Sequence, residues 1–151
     1  MKIAATQFNL ENNAIEVYLS GCLGSCSGCH NEELKDFNVG KDFNSEIMYQ
    51  IKSKILQFDN LIEKIFIMGG EPLDQDLFYL KWFLNYIKTT NKEIWLFTRY
   101  DLNEISPEIK NLCDYIKTGC YNEKLKVDNY EMYGIKLATS NQKINKRGED
   151  Y

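Results

Sequence analysis

Four short apolar runs separated by helix-length segments constrain this chain more than any other feature. The runs lie at residues 15–19, 64–68, 93–97 and, more weakly, 115–117. Each is short and rich in β-branched or aromatic residues, as buried strands are. Between them, residues 45–58 place Met48, Ile51 and Ile55 on one stripe. Residues 76–89 do the same with Leu77, Leu80, Leu84 and Ile87, with Phe83 alongside. Ser106-Pro107-Glu108 supplies an N-cap, a first-turn proline and an acidic first turn for a third, shorter helix ending near Leu112. Strand and helix alternate, which predicts an α/β fold with a parallel sheet, because parallel strands need a long return connection. A complete eight-unit barrel takes about 250 residues. A chain of 151 therefore predicts a partial (βα) barrel of about four to five parallel strands, open on one side. A single domain over 1–151 is expected, with 143–151 a charged tail that frays.

The residues that carry chemistry fall after the strands. Cys22 follows the first run, Gly69-Gly70-Glu71-Pro72 the second, Thr98-Arg99-Tyr100 the third and Thr118-Gly119-Cys120 the fourth. All four turns would share the carboxyl edge of one sheet, where α/β folds place their ligands.

Cys22, Cys26 and Cys29 stand in a Cys-x-x-x-Cys-x-x-Cys run whose glycines, Gly21, Gly24 and Gly28, let the backbone turn sharply. Three thiolates on a cubane iron–sulfur cluster leave one iron able to bind something else, whereas four complete it. A zinc site would have to add His30, the only histidine. Adjacent Cys29 and His30 reach one tetrahedral ion poorly, so the spacing favours iron and sulfide. Five cysteines are an odd set, too crowded here for a disulfide framework, and fit metal ligation in a reducing compartment. Cys113 reads as core material and Cys120 as a small packed residue.

In Met68-Gly69-Gly70-Glu71-Pro72 two glycines expose backbone groups at the sheet edge, and the carboxylate after them can hold an ammonium group. Together the two motifs resemble the radical S-adenosylmethionine enzymes. More narrowly, the chain is similar to the activating proteins of anaerobic (class III) ribonucleoside-triphosphate reductase. Ser20-Gly21-Cys22, Ser27-Gly28-Cys29-His30-Asn31, Gly69-Gly70-Glu71-Pro72-Leu73, Ile94-Trp95-Leu96-Phe97-Thr98 and Asn141-Gln142 carry the likeness, over roughly residues 15–143.

That resemblance implies a [4Fe-4S] cluster on Cys22, Cys26 and Cys29, with S-adenosylmethionine chelated at the open iron. It implies reductive cleavage to a 5′-deoxyadenosyl radical that takes hydrogen from a glycine of the reductase. Carried over by position, Gly69, Gly70 and Glu71 hold the methionine amine, the backbone from Gly28 to His30 approaches the adenine, and Thr98 faces the cofactor. No separate acid–base residue is implied. The partners implied are the large glycyl-radical reductase and a one-electron donor such as flavodoxin or ferredoxin. Three departures stand out: Leu10-Glu11-Asn12-Asn13-Ala14 replaces a Gly-Pro-Gly-x-Arg-like stretch, Arg99 replaces a glycine between Thr98 and Tyr100, and Ala138-Thr139-Ser140 precedes Asn141-Gln142 in place of Gly-Ser-x.

Two rivals fit the same motifs. A small-molecule enzyme of the superfamily, such as a 7-carboxy-7-deazaguanine synthase-like protein, needs more chain than the last thirty or so residues supply to enclose a substrate. A non-enzymatic metal module or electron carrier would want a fourth ligand. The 18 basic and 22 acidic residues, net charge -4, form no basic stripe, which argues against direct nucleic-acid binding. Neither a signal-peptide core nor a membrane-length apolar stretch is evident, so a cytoplasmic location is expected.

Overall fold

The computed structural model describes residues 1–151. In chain order the elements are β1 (Lys2–Asn9), β2 (Ala14–Ser20), β3 (Lys41–Asp42), α1 (Ser45–Gln57), β4 (Lys64–Gly69), α2 (Leu77–Lys88) and β5 (Glu93–Phe97). They continue with α3 (Pro107–Lys110), β6 (Tyr115–Thr118), β7 (Glu131–Met132), β8 (Ile135–Lys136) and β9 (Lys143–Lys146). Seven strands form one sheet in the order β3-β1-β2-β4-β5-β6-β9, and β7 with β8 forms a separate hairpin. The four apolar runs became β2, β4, β5 and β6, which pair in parallel. β1 and β9 flank them antiparallel, so the α/β sheet is mixed rather than purely parallel.

The flanking strands were not foreseen, and for a physical reason. β1 buries only Ile3 of its eight residues, so it shows no strong apolar alternation. Its position is set by the turn into β2, where Asn13 takes a left-handed conformation at φ 49°. The tail expected to fray from 143 instead begins with β9 on the edge of β6. Further along, the Arg147 guanidinium pairs with Asp114 and the Tyr151 hydroxyl donates to the Cys113 carbonyl at 3.1 Å.

Helices cover one face of the sheet. Ile15, Val17, Leu19, Ile65, Ile67, Ile94, Leu96 and Ile116 alternate onto it and pack with Met48, Ile51 and Ile55 of α1 and Leu80, Phe83, Leu84 and Ile87 of α2 in one buried cluster. Leu77 stays out of this stripe at 44 % exposure, because it is the first residue of α2, directly after the cap. Asn44 and Asp76 cap α1 and α2 by accepting from the Ile47 and Phe78 amides, and Ser106 caps α3 through Ile109.

The opposite face is lightly covered. Ala14, Phe66 and Trp95 pack there against Ile135, Leu137 and Ile144, delivered by the β7–β8 hairpin and β9. The hairpin turns through Tyr133 and Gly134, both with positive φ, as a two-residue turn between strands requires. Toward the carboxyl ends of β2, β4, β5 and β6 this cover stops and a cavity begins. No helix is long and apolar enough to cross a membrane.

Candidate functional site

That cavity has a volume of about 310 Å³ and is reached by every turn at the carboxyl edge. Cys22, Cys26, Cys29 and His30 line it from the loop after β2. Gly69, Gly70 and Glu71 line it after β4, Thr98 and Arg99 after β5, and Lys117, Gly119 and Tyr121 at the end of β6. Met68 and Phe97 form its apolar floor on the helix-free face. Of the residues expected from sequence, only Gly28 is outside the lining; it is exposed at the rim, where an added Cβ would stand 3.0 Å from Glu123 and 3.2 Å from Tyr121.

The two motifs are tied together by backbone. Gly21 N–H donates to the Leu34 carbonyl at 2.8 Å and Cys22 N–H to that of Lys35 at 3.1 Å, which closes the cysteine loop on itself. Glu71 N–H donates to the Gly21 carbonyl at 2.9 Å, joining the glycine-rich turn to the start of that loop. The buried Gln75 amide adds bonds to the Gly21 and Glu71 carbonyls at 3.0 and 3.1 Å. This approach requires glycine: a Cβ on Gly70 would stand 2.5 Å from the Gly21 oxygen, and one on Gly69, at φ 112°, 2.3 Å from the Leu19 oxygen.

All three loop thiols are free and half-buried. All three line the cavity, and no three Cys, His, Asp or Glu side chains form a group that could hold a single metal ion. His30, the fourth ligand of the zinc alternative, instead tilts against the Tyr121 ring, centroids 4.6 Å apart. Burial raises the Cys26 thiol pKa, and the neighbouring Cys120 adds to the rise. Cys120 is exposed rather than packed, and its carbonyl accepts from the Asn141 amide at 2.9 Å. Cys113 is fully buried, which pushes its thiol up to about 12.

Glu71 occupies the centre of the wall. Its carboxylate accepts from the Thr98 hydroxyl at 2.7 Å, the Leu73 amide at 3.0 Å and the Arg99 amide at 2.8 Å. Burial raises its pKa, and those three donors hold the rise in check. A carboxylate has about four acceptor positions, so most of Glu71 is spent on fixing the ends of β4 and β5 relative to each other. Thr98 is thereby held through its hydroxyl, which in turn accepts from the Tyr100 amide at 3.2 Å.

Several residues in and beside the wall were assigned no cofactor contact from sequence. Lys117 donates to the Gly119 carbonyl at 2.8 Å, and burial lowers its pKa to about 8. Its position in a short β6 gave the only signal, since it faces away from Ile116. Gln142 is buried and accepts from the Ala138 and Thr139 amides at 3.1 and 3.3 Å, which fixes the late loop over the cavity. Asp74, Arg99 and Tyr100 form a cluster beside the cysteine loop that only the folded chain brings together.

Comparison with known proteins turns this geometry into a family. Residues 13–145 match the family described as "4Fe-4S single cluster domain". The chain belongs to that family. The chain is also similar to anaerobic ribonucleoside-triphosphate reductase-activating proteins. It is 27% identical to that of Haemophilus influenzae over 111 residues, 72% of each chain. It is 26% identical to that of Enterobacteria phage T4 over 115 residues, 74% of this chain and 72% of the relative. The Salmonella typhi protein is 26% identical over 117 residues, 73% of this chain and 75% of its own.

Proposed function

We propose that this chain is an iron–sulfur activase of anaerobic ribonucleoside-triphosphate reductase, holding its cluster on Cys22, Cys26 and Cys29 and S-adenosylmethionine in the adjoining cavity. The observation that carries this reading is the backbone union of the cysteine loop with the Gly69-Gly70-Glu71 turn, which makes one cavity of both motifs. When bound, the reduced cluster and S-adenosylmethionine supply the electron and the scissile sulfonium from which a 5′-deoxyadenosyl radical, and then a glycyl radical on the reductase, are made.

The protein's own part is to bind, orient and exclude. The Gly69 and Gly70 backbone, kept bare of side chains, offers polar groups to the methionine amine. Glu71 acts mainly by holding that turn against Thr98 and Arg99, with its remaining acceptor capacity toward the amine. Lys117 presents a cation to the methionine carboxylate from the end of β6, two strands along the same sheet. The backbone from Gly28 to His30 and the His30 ring flank the adenine, and Met68 and Phe97 give the cavity a dry floor. We read the sheet as a partial (βα) barrel around its four parallel strands, the whole chain as one domain, and its open side as the seat of the reductase. A cytoplasmic setting with a flavodoxin or ferredoxin as donor completes the proposal.

The test is anaerobic reconstitution with iron and sulfide, followed by reduction and addition of S-adenosylmethionine. The expected products are 5′-deoxyadenosine and methionine, with a glycyl-radical signal once reductase is present. A cluster that leaves the sulfonium intact overturns the reading.

A further inference from the structure

Arg99 stands where the resembling family has glycine, and its side chain lies over the cysteine loop. The position a Cβ on Gly24 would take is 2.8 Å from Arg99 Cδ, 2.8 Å from Arg99 Nε and 3.2 Å from Cys22 Sγ. Gly24 N–H already donates to that sulfur at 3.2 Å. The far end of the guanidinium is committed elsewhere. Nη2 reaches both oxygens of Asp74 at 3.2 and 3.3 Å and the Tyr100 oxygen at 2.7 Å, with the guanidinium carbon 4.1 Å from the centre of the Tyr100 ring. Asp74 is itself buried, and it accepts from the Leu23 amide at 2.6 Å and the Tyr100 hydroxyl at 2.6 Å. The near end is different: Arg99 Nε is buried and has no hydrogen-bond partner.

A buried N–H without an acceptor is uncommon, because desolvation is not repaid. Here the unpaired donor and the Cys22 sulfur flank the same point over Gly24, 2.8 and 3.2 Å from where its Cβ would stand, while the contacts of Nη2 and the Tyr100 ring anchor the group in place. We propose that Arg99 is a positioning residue that sets the cluster's reduction potential: its Nε–H donates to the Cys22 thiolate, or to the sulfide beside it, and its fixed cation favours the reduced state. This rests on the reading that Cys22, Cys26 and Cys29 hold the cluster. The direction follows from charge. One-electron reduction adds a negative charge next to a cation whose orientation is already fixed, and hydrogen bonds to cluster sulfur and local charge are the levers that move such potentials.

The experiment is an EPR-monitored redox titration of the reconstituted protein and three variants. R99Q is expected to lower the reduced-to-oxidised ratio at a set potential about tenfold, equivalent to about 59 mV for one electron. R99K keeps the cation but has no Nε–H over Gly24, and an intermediate drop is expected. D74N removes the anchoring carboxylate and a nearby negative charge, so its ratio stays at or above the wild-type value. A clamp with no electronic role would make D74N copy R99Q, and that result overturns the proposal. So does an R99Q titration that coincides with wild type, or an R99K titration that coincides with it if R99Q takes up no cluster. Wild-type protein that takes up no reducible cluster overturns the proposed function together with this inference; unchanged potentials in loaded protein overturn only the inference.

Discussion

The two faces of the sheet do different jobs with the same strands. On the helix side, alternating residues of β2, β4, β5 and β6 join one apolar cluster of 21 buried residues. On the other side only six residues form a buried cluster, and the remaining surface is given to a cavity with an apolar floor and polar walls. Alternate residues along a strand therefore turn to opposite faces, and on the second face apolar cover such as Phe66 and Trp95 gives way to the cavity only toward the carboxyl ends. Ile65 and Ile67 fill the core, while Met68 and the glycines after it shape the site. Ile116 is core, and Lys117 beside it is a cavity wall.

If the faces are separable, substitutions on each should fail in different assays. The largest effect expected is from Cys26→Ala, which leaves two thiols of the three in the cavity. It should abolish cluster uptake and S-adenosylmethionine cleavage while changing the urea midpoint little, since Cys26 is half-buried. Absorbance of the reconstituted cluster and equilibrium unfolding of the cluster-free protein measure the two sides. Retained cleavage would remove Cys26 from the site. Leu84→Ala is the mirror experiment. Leu84 is fully buried in the helix-side cluster, and truncation should cost about 3 kcal/mol through lost transfer energy and the cavity left behind. Cluster spectra should survive wherever the variant remains folded.

Glu71 lies on the border and tests how sharp it is. Glu71→Gln keeps the shape but exchanges an acceptor for a donor that faces the Arg99 or Leu73 amide, or the Thr98 hydroxyl. A loss of about 2 kcal/mol in unfolding free energy is expected from the mismatched buried bond. Weakened cofactor affinity should accompany it. Loss of affinity with no change in stability would show that Glu71 serves the ligand directly rather than fixing the turn.

The helix side was the more legible in sequence, because its signal is periodic. Met48, Ile51 and Ile55, and Leu80, Leu84 and Ile87, mark their helices by spacing alone, and the strands they cover are continuous apolar runs. The cysteine loop and the Gly69-Gly70 turn were legible for another reason: chemistry fixes both spacing and residue type within a few positions. What escaped was set by contacts between distant segments. β1 is held by pairing with β2 and buries one residue, so its sequence carries little pattern. Asp74, Arg99 and Leu23 meet only because the turns after β4 and β5 and the cysteine loop share one edge. Lys117 looked like an ordinary strand lysine until the fold turned it inward.

Lys117 gives the smallest predicted effect and the one that places stability and function in opposition on a single side chain. Burial lowers its pKa from 10.5 to about 8 in the folded chain, whereas the unfolded chain keeps its proton to about 10.5. Between those values the unfolded state binds more protons, so stability from this group rises with pH across that window and is lowest below it. At pH 7 the charged amine is a cost of about 1 kcal/mol, less than the shift alone implies because the side chain keeps some contact with solvent. Lys117→Met should therefore raise the melting temperature at pH 7 by about 2–4 °C and flatten the rise between pH 8 and 10.5. The bond to Gly119 is lost in the same variant, which keeps the gain small. If the lysine is retained for the cofactor's carboxylate, the stabilised protein should bind S-adenosylmethionine more weakly, read by equilibrium dialysis of the reconstituted form. A variant more stable and equally tight would leave the lysine without a purpose in the cavity and would move the carboxylate's partner to another cation on that wall.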